Sequence, residues 1–382
     1  MNTSEMMMPR ALRMVGIGFV FAARVSSFAE EDRPTLKLEN DQVEVVVDLG
    51  GGSISEYRLK ANGLNPLQWD SWSFNPRANE EPPMDPRSMG HFLCLDRWGS
   101  ASEAEKARGF TNHGEATQVW WKALPDPGAG DRKSIALMQA ELPMAGIHVE
   151  RRAILESGSP VVVVKEMVTN KNPYGRIYNI VQHPTIGPPF LDEHTIVDSN
   201  GTRGFMQERP MPNPEETEAR WPQAFQIDGT EVDLRFLRDD PSPNVVSFIV
   251  EEDIGWVTAT SPENGLLLGY IWKTKDYPWL NIWRHVKDGK PFARGLEFGT
   301  SGLHRPGYDL VVKGRIFDRP LYRYIDADEK QSFTHAMFLA EIPVDFAGVA
   351  SVAYTDSEIL ILEEGDRARQ VSVETFEMFP DN

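Results

Sequence analysis

The stretch VEVVVDLGGGS, from Val43 to Ser53, is an alternating apolar segment that runs directly into three glycines. Successive side chains of a β-strand point to opposite faces, so an extended chain here places four apolar residues on one face: Val43, Val45, Val47 and Leu49. Glycine adopts turn conformations that other residues resist, which makes the glycine run the turn of a first hairpin. The stretch therefore predicts two antiparallel strands with one buried face.

The same two-residue period recurs along most of the chain. The further candidate strands are GIHVERRAIL (146–155), VVVVKEMV (161–168), IYNIV (177–181), VVSFIV (245–250), WVTAT (256–260), LLLGYIW (266–272), WLNIWRHV (279–286), FTHAMFLAEI (333–342), GVASVAY (348–354) and EILILEE (358–364). Turn residues separate them at short intervals, and only ASEAEKAR (101–108) has a helix-forming composition. We therefore predict an all-β fold, one large antiparallel β-sandwich with few short helices.

The charge balance narrows the class of partner. The 382-residue chain carries 39 Lys and Arg against 57 Asp and Glu, a formal net charge of −18. Nucleic acids and anionic membranes are bound through basic surfaces, so this balance argues against both and fits a neutral ligand. The single cysteine, Cys94, allows no intramolecular disulfide and no cysteine-based zinc site. Its apolar neighbours predict a buried side chain.

The N-terminal segment has the three parts of an export signal. Arg10 and Arg13 make its start positive, and Met14–Ala23 is a short apolar run. Ser27–Ala29 then supplies small residues for a cleavage site before Glu30. The apolar run is too short to span a bilayer.

From these features we predict a signal peptide over residues 1–29, export to the periplasm or out of the cell, and a single β-sandwich domain over residues 30–382. The alternative is a disordered N-terminal tail with a wrongly assigned start codon. We expect no integral membrane span. Nothing in the sequence demands a partner subunit, so we expect a monomer.

One candidate strand has the composition of a sugar-binding surface. In WLNIWRHV the side chains of Trp279, Asn281, Trp283 and His285 share one face. Indole rings stack on the C–H face of a pyranose, and amide or imidazole groups hydrogen-bond its hydroxyls. The alternative is a strand whose tryptophans pack between sheets while Asn281 and His285 lie near the rim.

Glu297 is a candidate general base. In ARGLEFGTSGLHRP (293–306) it stands between Leu296 and Phe298, with three glycines that leave room for a ligand. Apolar surroundings disfavour the charged form of a carboxylate and so raise its basicity. The alternative is an edge-strand glutamate that points to solvent.

His183 is a candidate general acid. It ends the apolar run of VQHPTIGPPF (181–190), and the prolines after it make the next loop rigid. Histidine can give or take a proton near neutral pH, so with a carboxylate base it would supply the acid half of a couple. A lone histidine at a strand end is otherwise a structural residue.

Two more polar residues could bind a ligand. His113 precedes Gly114, where a backbone or ligand can approach closely, although the segment also fits a surface loop. Arg97 stands between Asp96 and Trp98. It could clamp a polar ring together with the indole, or it could form a local ion pair with the aspartate.

Motifs for metal or cofactor chemistry are missing from the sequence. There is no H-x-H, no H-E-x-x-H and no nucleophile elbow, and DLGGGS does not match G-x-G-x-x-G. We expect neither a metal nor a cofactor.

Taken in order along the chain, these segments resemble galactose mutarotase-like proteins of the aldose 1-epimerase superfamily. The matching segments are VEVVVDLGGGSISEYRLKANGLNPLQW (43–69), DRWG (96–99), NHGEA (112–116), VQHP (181–184) and GLEFGT (295–300). The resemblance implies a β-supersandwich with a sugar site in the concave face of its large sheet.

The resemblance also implies roles for single residues. In such proteins a Glu takes the proton of the anomeric hydroxyl and a His protonates the ring oxygen, so the ring opens, rotates and closes as the other anomer. Glu297 would be the base and His183 the acid, while His113 and Arg97 would hold ring oxygens and hydroxyls. Asp253 in EEDIGW is the candidate for a further carboxylate that contacts sugar hydroxyls.

The loop after His183 departs from the resemblance. QHPTIGPPF replaces the usual N-H-x-x-(F/Y)-(F/N) pattern, which bears on substrate identity more than on the acid role. Two functions follow: an aldose 1-epimerase-like isomerase that acts on a neutral sugar, or a non-catalytic protein that binds a sugar or glycan on the same fold. A sugar-phosphate epimerase is a third, less favoured interpretation, because an exported acidic protein rarely meets sugar phosphates.

Overall fold

Antiparallel β-strands form almost all of the regular structure in the computed structural model. The structure describes residues 33–74, 83–126, 128, 130, 132–208, 215, 219–240, 242–365 and 369–379. The predicted signal peptide over residues 1–29 lies outside these ranges.

Strands far outnumber helices in these ranges. The strands are β1 (Thr35–Glu39), β2 (Val43–Asp48), β3 (Ser53–Leu59), β4 (His91–Asp96), β5 (Lys122–Leu124), β6 (Lys133–Leu142), β7 (Ile147–Glu156), β8 (Val161–Asn170), β9 (Arg176–Ile186), β10 (Ile196–Ser199), β11 (Gly201–Met206), β12 (Ala219–Arg220), β13 (Gln223–Phe225), β14 (Glu231–Asp233), β15 (Val245–Val250), β16 (Ile254–Ser261), β17 (Leu266–Lys273), β18 (Trp279–Lys287), β19 (Lys290–Gly299), β20 (Arg315–Ile316), β21 (Arg319–Pro320), β22 (Arg323–Ile325), β23 (Lys330–Glu341), β24 (Val349–Tyr354), β25 (Glu358–Glu363) and β26 (Gln370–Glu374). The helices are α1 (Glu103–Lys106) and α2 (Gly307–Lys313), with a 3₁₀ turn at Ser71–Phe74.

Two large sheets are built from these strands. The first has the order β1-β2-β3-β4-β9-β19-β18-β15-β11-β12-β13-β14, with β22 paired to β9. The second has the order β10-β16-β17-β23-β8-β7-β6-β5, and β24, β25 and β26 form a smaller sheet. Neighbouring strands pair antiparallel. The predicted all-β antiparallel sandwich is confirmed.

The main hydrophobic core contains side chains from both large sheets. Val43, Val45 and Val47 of β2 are fully buried in it, as the alternation in the first hairpin predicts. Leu296 of β19 and Val164 of β8 belong to the same core. The two sheets therefore bury their apolar faces against each other.

The other face of the first sheet carries a row of aromatic and polar side chains. β4, β9, β19 and β18 are neighbours in this sheet. Phe92 of β4 pairs with His183 of β9, and the register between β9 and β19 sets Glu297 opposite His183. Glu297 pairs in turn with Asn281 of β18. Four strands thus bring residues that are far apart in sequence into one line.

A buried polar network lies behind this row, inside the sandwich. Arg151 Nη2 is 2.6 Å from Glu166 Oε1, and both side chains are almost completely buried. The other oxygen of Glu166 accepts a hydrogen bond from Gln182 Nε2 at 2.6 Å, and Gln182 Oε1 lies 3.1 Å from His91 Nε2. The network links β7 and β8 of one sheet to β4 and β9 of the other.

The helices are short. The predicted helix over 101–108 is confirmed in its central turn, α1, which begins with a capping box between Ser102 and Glu105. The sequence did not predict α2. Cys94 is buried, as expected. In the ranges that the structure describes, no helix is long and apolar enough to cross a membrane.

Gly114 is held against β4 where a larger residue would not fit. Its φ is +79°, and an added Cβ would lie 1.9 Å from the carbonyl oxygen of Leu95. Gly63 has a similar φ of +74°, but nothing lies within 4 Å of its added Cβ. We predict that Gly114→Ala lowers the free energy of unfolding by at least ~2 kcal/mol more than Gly63→Ala, because only Gly114 adds a backbone collision to the same φ strain.

Urea unfolding of the two variants measures this difference. Equal losses would show that the loop at Gly114 moves away from β4 without strain.

Candidate active site

A cavity of about 600 Å³ opens on the polar row of the first sheet. That volume is in the range of small-molecule sites. Five aromatic side chains line it: Trp69, Phe74, Phe92, Trp98 and Trp283. Glu297 and His183 also line it. A wall of aromatic rings with a few polar groups between them suits a ligand that has apolar faces and hydrogen-bonding edges.

Glu297 and His183 are directly paired in this cavity. Glu297 Oε1 lies 3.1 Å from His183 Nε2, and both side chains are more than nine-tenths buried. His183 Nδ1 lies 3.0 Å from Thr185 Oγ1, and the imidazole stacks on the Phe92 ring with centroids 4.1 Å apart. The hydroxyl and the aromatic ring fix the orientation of the imidazole, so Nε2 faces the carboxyl group.

Burial disfavours charge on both partners. It raises the pKa of Glu297 to about 8 and lowers the pKa of His183 well below its ordinary value. At neutral pH the pair therefore holds one transferable proton, on the carboxyl group of Glu297 with His183 neutral. Moving that proton to Nε2 gives the carboxylate–imidazolium form without changing the number of protons on the pair.

Two further histidines face the same space. The His113 ring lies 5.5 Å from that of His183 and 5.6 Å from that of His304. Burial lowers the pKa of His113 to about 3 and that of His304 to about 4. Both rings are therefore neutral near pH 7, and each can donate one hydrogen bond and accept another.

His304 and the polar wall beside it were missed in the sequence. Gln207, Glu208, Asn244 and Arg305 line this wall, and Gln207 Oε1 accepts a hydrogen bond from the His304 backbone N–H at 3.0 Å. These residues follow strands or lie in loops, where no two-residue period marks the direction of a side chain. The signal that could have found His304 is its place seven residues after Glu297 in the same glycine-rich segment.

Arg97 lies outside this cavity. Its guanidinium is 3.3 Å from Asp96 Oδ2 and 2.8 Å from Glu105 Oε1, and it stacks on Phe110. It lines a different surface depression, together with Arg176. The local ion pair with Asp96 is thus the arrangement found, and the structure does not bring Arg97 to His183 and Glu297.

The other predicted contacts divide between the cavity and the interior. Trp283 and His113 line the cavity. Trp279 is completely buried, and its indole N–H donates to the Pro320 carbonyl at 2.8 Å. Asn281 is also completely buried, and its Oδ1 accepts a hydrogen bond from Ser247 Oγ at 2.6 Å.

Asp253 lies away from these residues. It is exposed in the turn before β16, and its backbone carbonyl accepts the Thr274 N–H at 2.9 Å. The sequence placed it between the acid and the base along the chain, but the fold does not bring it into the cavity lining.

Solved structures share this architecture. A galactose mutarotase related enzyme from Lactobacillus acidophilus is 13% identical, with a TM-score of 0.55 over 81% of this chain and 98% of that one. A galactose mutarotase-like protein from Lactobacillus casei is 12% identical, with a TM-score of 0.55 over 80% and 100%. A candidate aldose 1-epimerase from Escherichia coli is 12% identical, with a TM-score of 0.55 over 81% and 99%.

The fold is galactose mutarotase-like. The expected fold is thereby confirmed, and identities of this size establish the fold alone. No protein-family model matches the sequence, and no curated protein matches it either. The chemistry of this chain therefore has to be argued from its own cavity.

Three histidines and a glutamate near one another raise the question of a metal. Within the described part of the chain, no group of three or more His, Cys, Asp or Glu side chains is arranged to hold a metal ion. Glu297 contacts His183 through one oxygen and Trp98 through the other, and its contact with His183 suits transfer of a proton between a ligand and the protein.

The raised pKa of Glu297 predicts a pH-dependent stability. The group ionises near 4.5 in the unfolded chain and near 8 in the folded one, so its contribution to stability is complete below pH 4.5 and is lost as pH rises through about 8. Glu297→Gln removes this ionisation. We predict that the free energy of unfolding of the wild type falls relative to Glu297→Gln by roughly 4 kcal/mol between pH 4.5 and 8.5.

Denaturant unfolding across this pH range checks the prediction. Glu193→Gln, which alters an exposed carboxylate, serves as the control and should show no comparable trend. A constant difference between wild type and Glu297→Gln would mean that Glu297 is already ionised in the folded protein.

Proposed function

We propose that this protein is an aldose 1-epimerase-like isomerase that interconverts the anomers of a neutral sugar. The observation that carries the proposal is the 3.1 Å contact between Glu297 and His183 in a buried cavity lined with aromatic rings. Ring opening of a hemiacetal removes a proton from the anomeric hydroxyl and delivers one to the ring oxygen. An acid and a base that both reach one small ligand meet that requirement.

The protons balance on this pair. In the carboxylate–imidazolium form, Glu297 takes the hydroxyl proton of C1 while His183 gives its proton to the ring oxygen and the C1–O5 bond breaks. The pair then holds the carboxylic acid and the neutral imidazole. Rotation about C1–C2 turns the aldehyde, and the reverse transfer closes the ring on its other face.

The remaining lining groups would bind the sugar. Trp283 and Phe74 offer apolar surfaces for the C–H face of a pyranose, and the neutral rings of His113 and His304 offer hydrogen bonds to hydroxyl groups. This chain has the same fold as galactose mutarotase-like proteins, and that likeness also favours a sugar as the ligand. Because one fold hosts several functions, the residues of the cavity carry the proposal.

Non-catalytic sugar binding is the second candidate. The observation that favours it is that both oxygens of Glu297 already have partners inside the protein, His183 and Trp98. A sugar would then have to share Oε1 with His183. Measured turnover separates the two candidates.

We predict that the wild type accelerates anomeric exchange of at least one free aldose, and that Glu297→Gln and His183→Gln each reduce this acceleration by about 100-fold or more, since each removes a proton-transfer group. Polarimetry or exchange NMR over a panel of aldoses measures the rates. Glu193→Gln is the control and should match the wild type. Sugar binding without any acceleration would establish the second candidate.

The pH dependence of the catalysed rate follows from the single proton that Glu297 and His183 share. Above about pH 8 the pair loses this proton from Glu297 and keeps no acid for the ring oxygen. Because the pKa of His183 is lowered, a second proton is added only in acid solution. We predict a rate that is level around neutrality and falls with one-proton dependence above about pH 8, measured after subtracting the spontaneous reaction. A catalysed rate that keeps rising up to pH 10 would contradict the shared proton.

A further inference from the structure

The two oxygens of Glu297 have different partners. Oε1 lies 3.1 Å from His183 Nε2, and Oε2 accepts a hydrogen bond from Trp98 Nε1 at 2.6 Å. Trp98 and Glu297 are each only 1% exposed. Among the described residues, no other side-chain or backbone donor is hydrogen-bonded to Oε2. On the side away from His183, the carboxyl group is therefore held by one indole N–H.

We propose that Trp98 is a positioning residue for the acid–base pair, whose indole N–H holds the Glu297 carboxyl group so that Oε1 faces His183 and the cavity. The proposal rests on the proposed function for its catalytic meaning. The terminal torsion of a glutamate is broad, so a carboxyl group held by His183 alone would rotate more freely and spend less time aligned with Nε2.

An indole is well suited to this task. Its N–H only donates, so Trp98 can hold Oε2 but cannot take the proton that Glu297 exchanges with His183. A histidine or tyrosine in this place would compete as a second acid or base. Because Trp98 occupies Oε2, the proton passes between Glu297 and His183 through Oε1.

The fold makes the indole rigid. Trp98 follows the end of β4, where the Asp96 carboxylate is ion-paired with Arg176 and Arg97. An added Cβ at Gly99 would lie 3.0 Å from the backbone nitrogen of Arg305, so the loop is packed tightly on its other side. Arg97, which the sequence suggested as a sugar clamp, instead helps to anchor the strand end that presents Trp98.

The Trp98 ring also makes an edge-on contact with a histidine of the cavity wall. The Trp98 ring meets the His304 ring with centroids 4.9 Å apart and planes at 82°. The indole is therefore held between the catalytic carboxyl group and one wall of the cavity. The indole N–H also stabilises the ionised form of Glu297 and so opposes the effect of burial on its pKa.

The test removes the N–H without changing the shape of the ring. Site-specific replacement of Trp98 by its benzothiophene analogue, with sulfur in place of N–H, is compared with Trp98→Phe. The control is Trp121→Phe, because the Trp121 N–H also donates to a buried oxygen, that of the Ala116 carbonyl at 2.8 Å, but lies in the main core. Infrared difference spectra against Glu297→Gln follow the protonated carboxyl group of Glu297 through a pH titration.

We expect the midpoint of the carboxyl titration to rise by about one pH unit in both Trp98 variants and to stay unchanged in Trp121→Phe, because one charge-assisted hydrogen bond is lost. The descending limb of the pH–rate profile should move by the same amount. The turnover number should fall about tenfold, with KM little changed.

An unchanged midpoint and turnover number in the benzothiophene variant would overturn the proposal, even if Trp98→Phe fails to fold. If the wild type does not accelerate anomeric exchange of any aldose, the proposed function is wrong, whatever the role of Trp98. The infrared midpoint then still decides whether Trp98 holds the Glu297 carboxyl group.

Discussion

The register of four neighbouring strands, β4, β9, β19 and β18, is the constraint on which the site depends. Side chains alternate along a strand, so a slip of one residue in β19 would turn Glu297 into the core and Leu296 into the cavity. The buried pair of Arg151 and Glu166 supports this register from behind through Gln182 of β9. The polar network in the sandwich interior and the acid–base pair on the other face are therefore parts of one arrangement.

Burial gives the pair its chemistry as well as its geometry. The same enclosed setting raises the pKa of Glu297 and lowers that of His183, so the carboxyl group and the imidazole compete for one proton at neutral pH. Thr185 and Trp98 hold the two groups without replacing either as a proton carrier. The pair can therefore exchange one proton with a ligand that reaches it in the cavity.

Sequence reasoning reached the strands through their alternation. It singled out Glu297 by its apolar neighbours, but it joined His183 to Glu297 through the order of segments that resembles galactose mutarotase-like proteins. It correctly set Trp279 and Trp283 on one face, but only Trp283 lines the cavity. Trp279 belongs to a separate apolar cluster, to which α2 contributes Leu310 and β20 contributes Ile316. For Arg97 sequence reasoning left two arrangements open, a sugar clamp with the neighbouring indole and an ion pair with Asp96; the structure has the ion pair, together with a second one to Glu105 of α1. His304 lies in a loop, where periodicity gives no direction for a side chain.

A crystal structure with a bound aldose tests the central claim, that Glu297 and His183 act together on one hemiacetal. The account predicts the anomeric hydroxyl oxygen within about 3 Å of the Glu297 carboxyl group and the ring oxygen within about 3 Å of His183 Nε2. A sugar bound with its anomeric carbon turned away from this pair, or bound elsewhere on the protein, would contradict it.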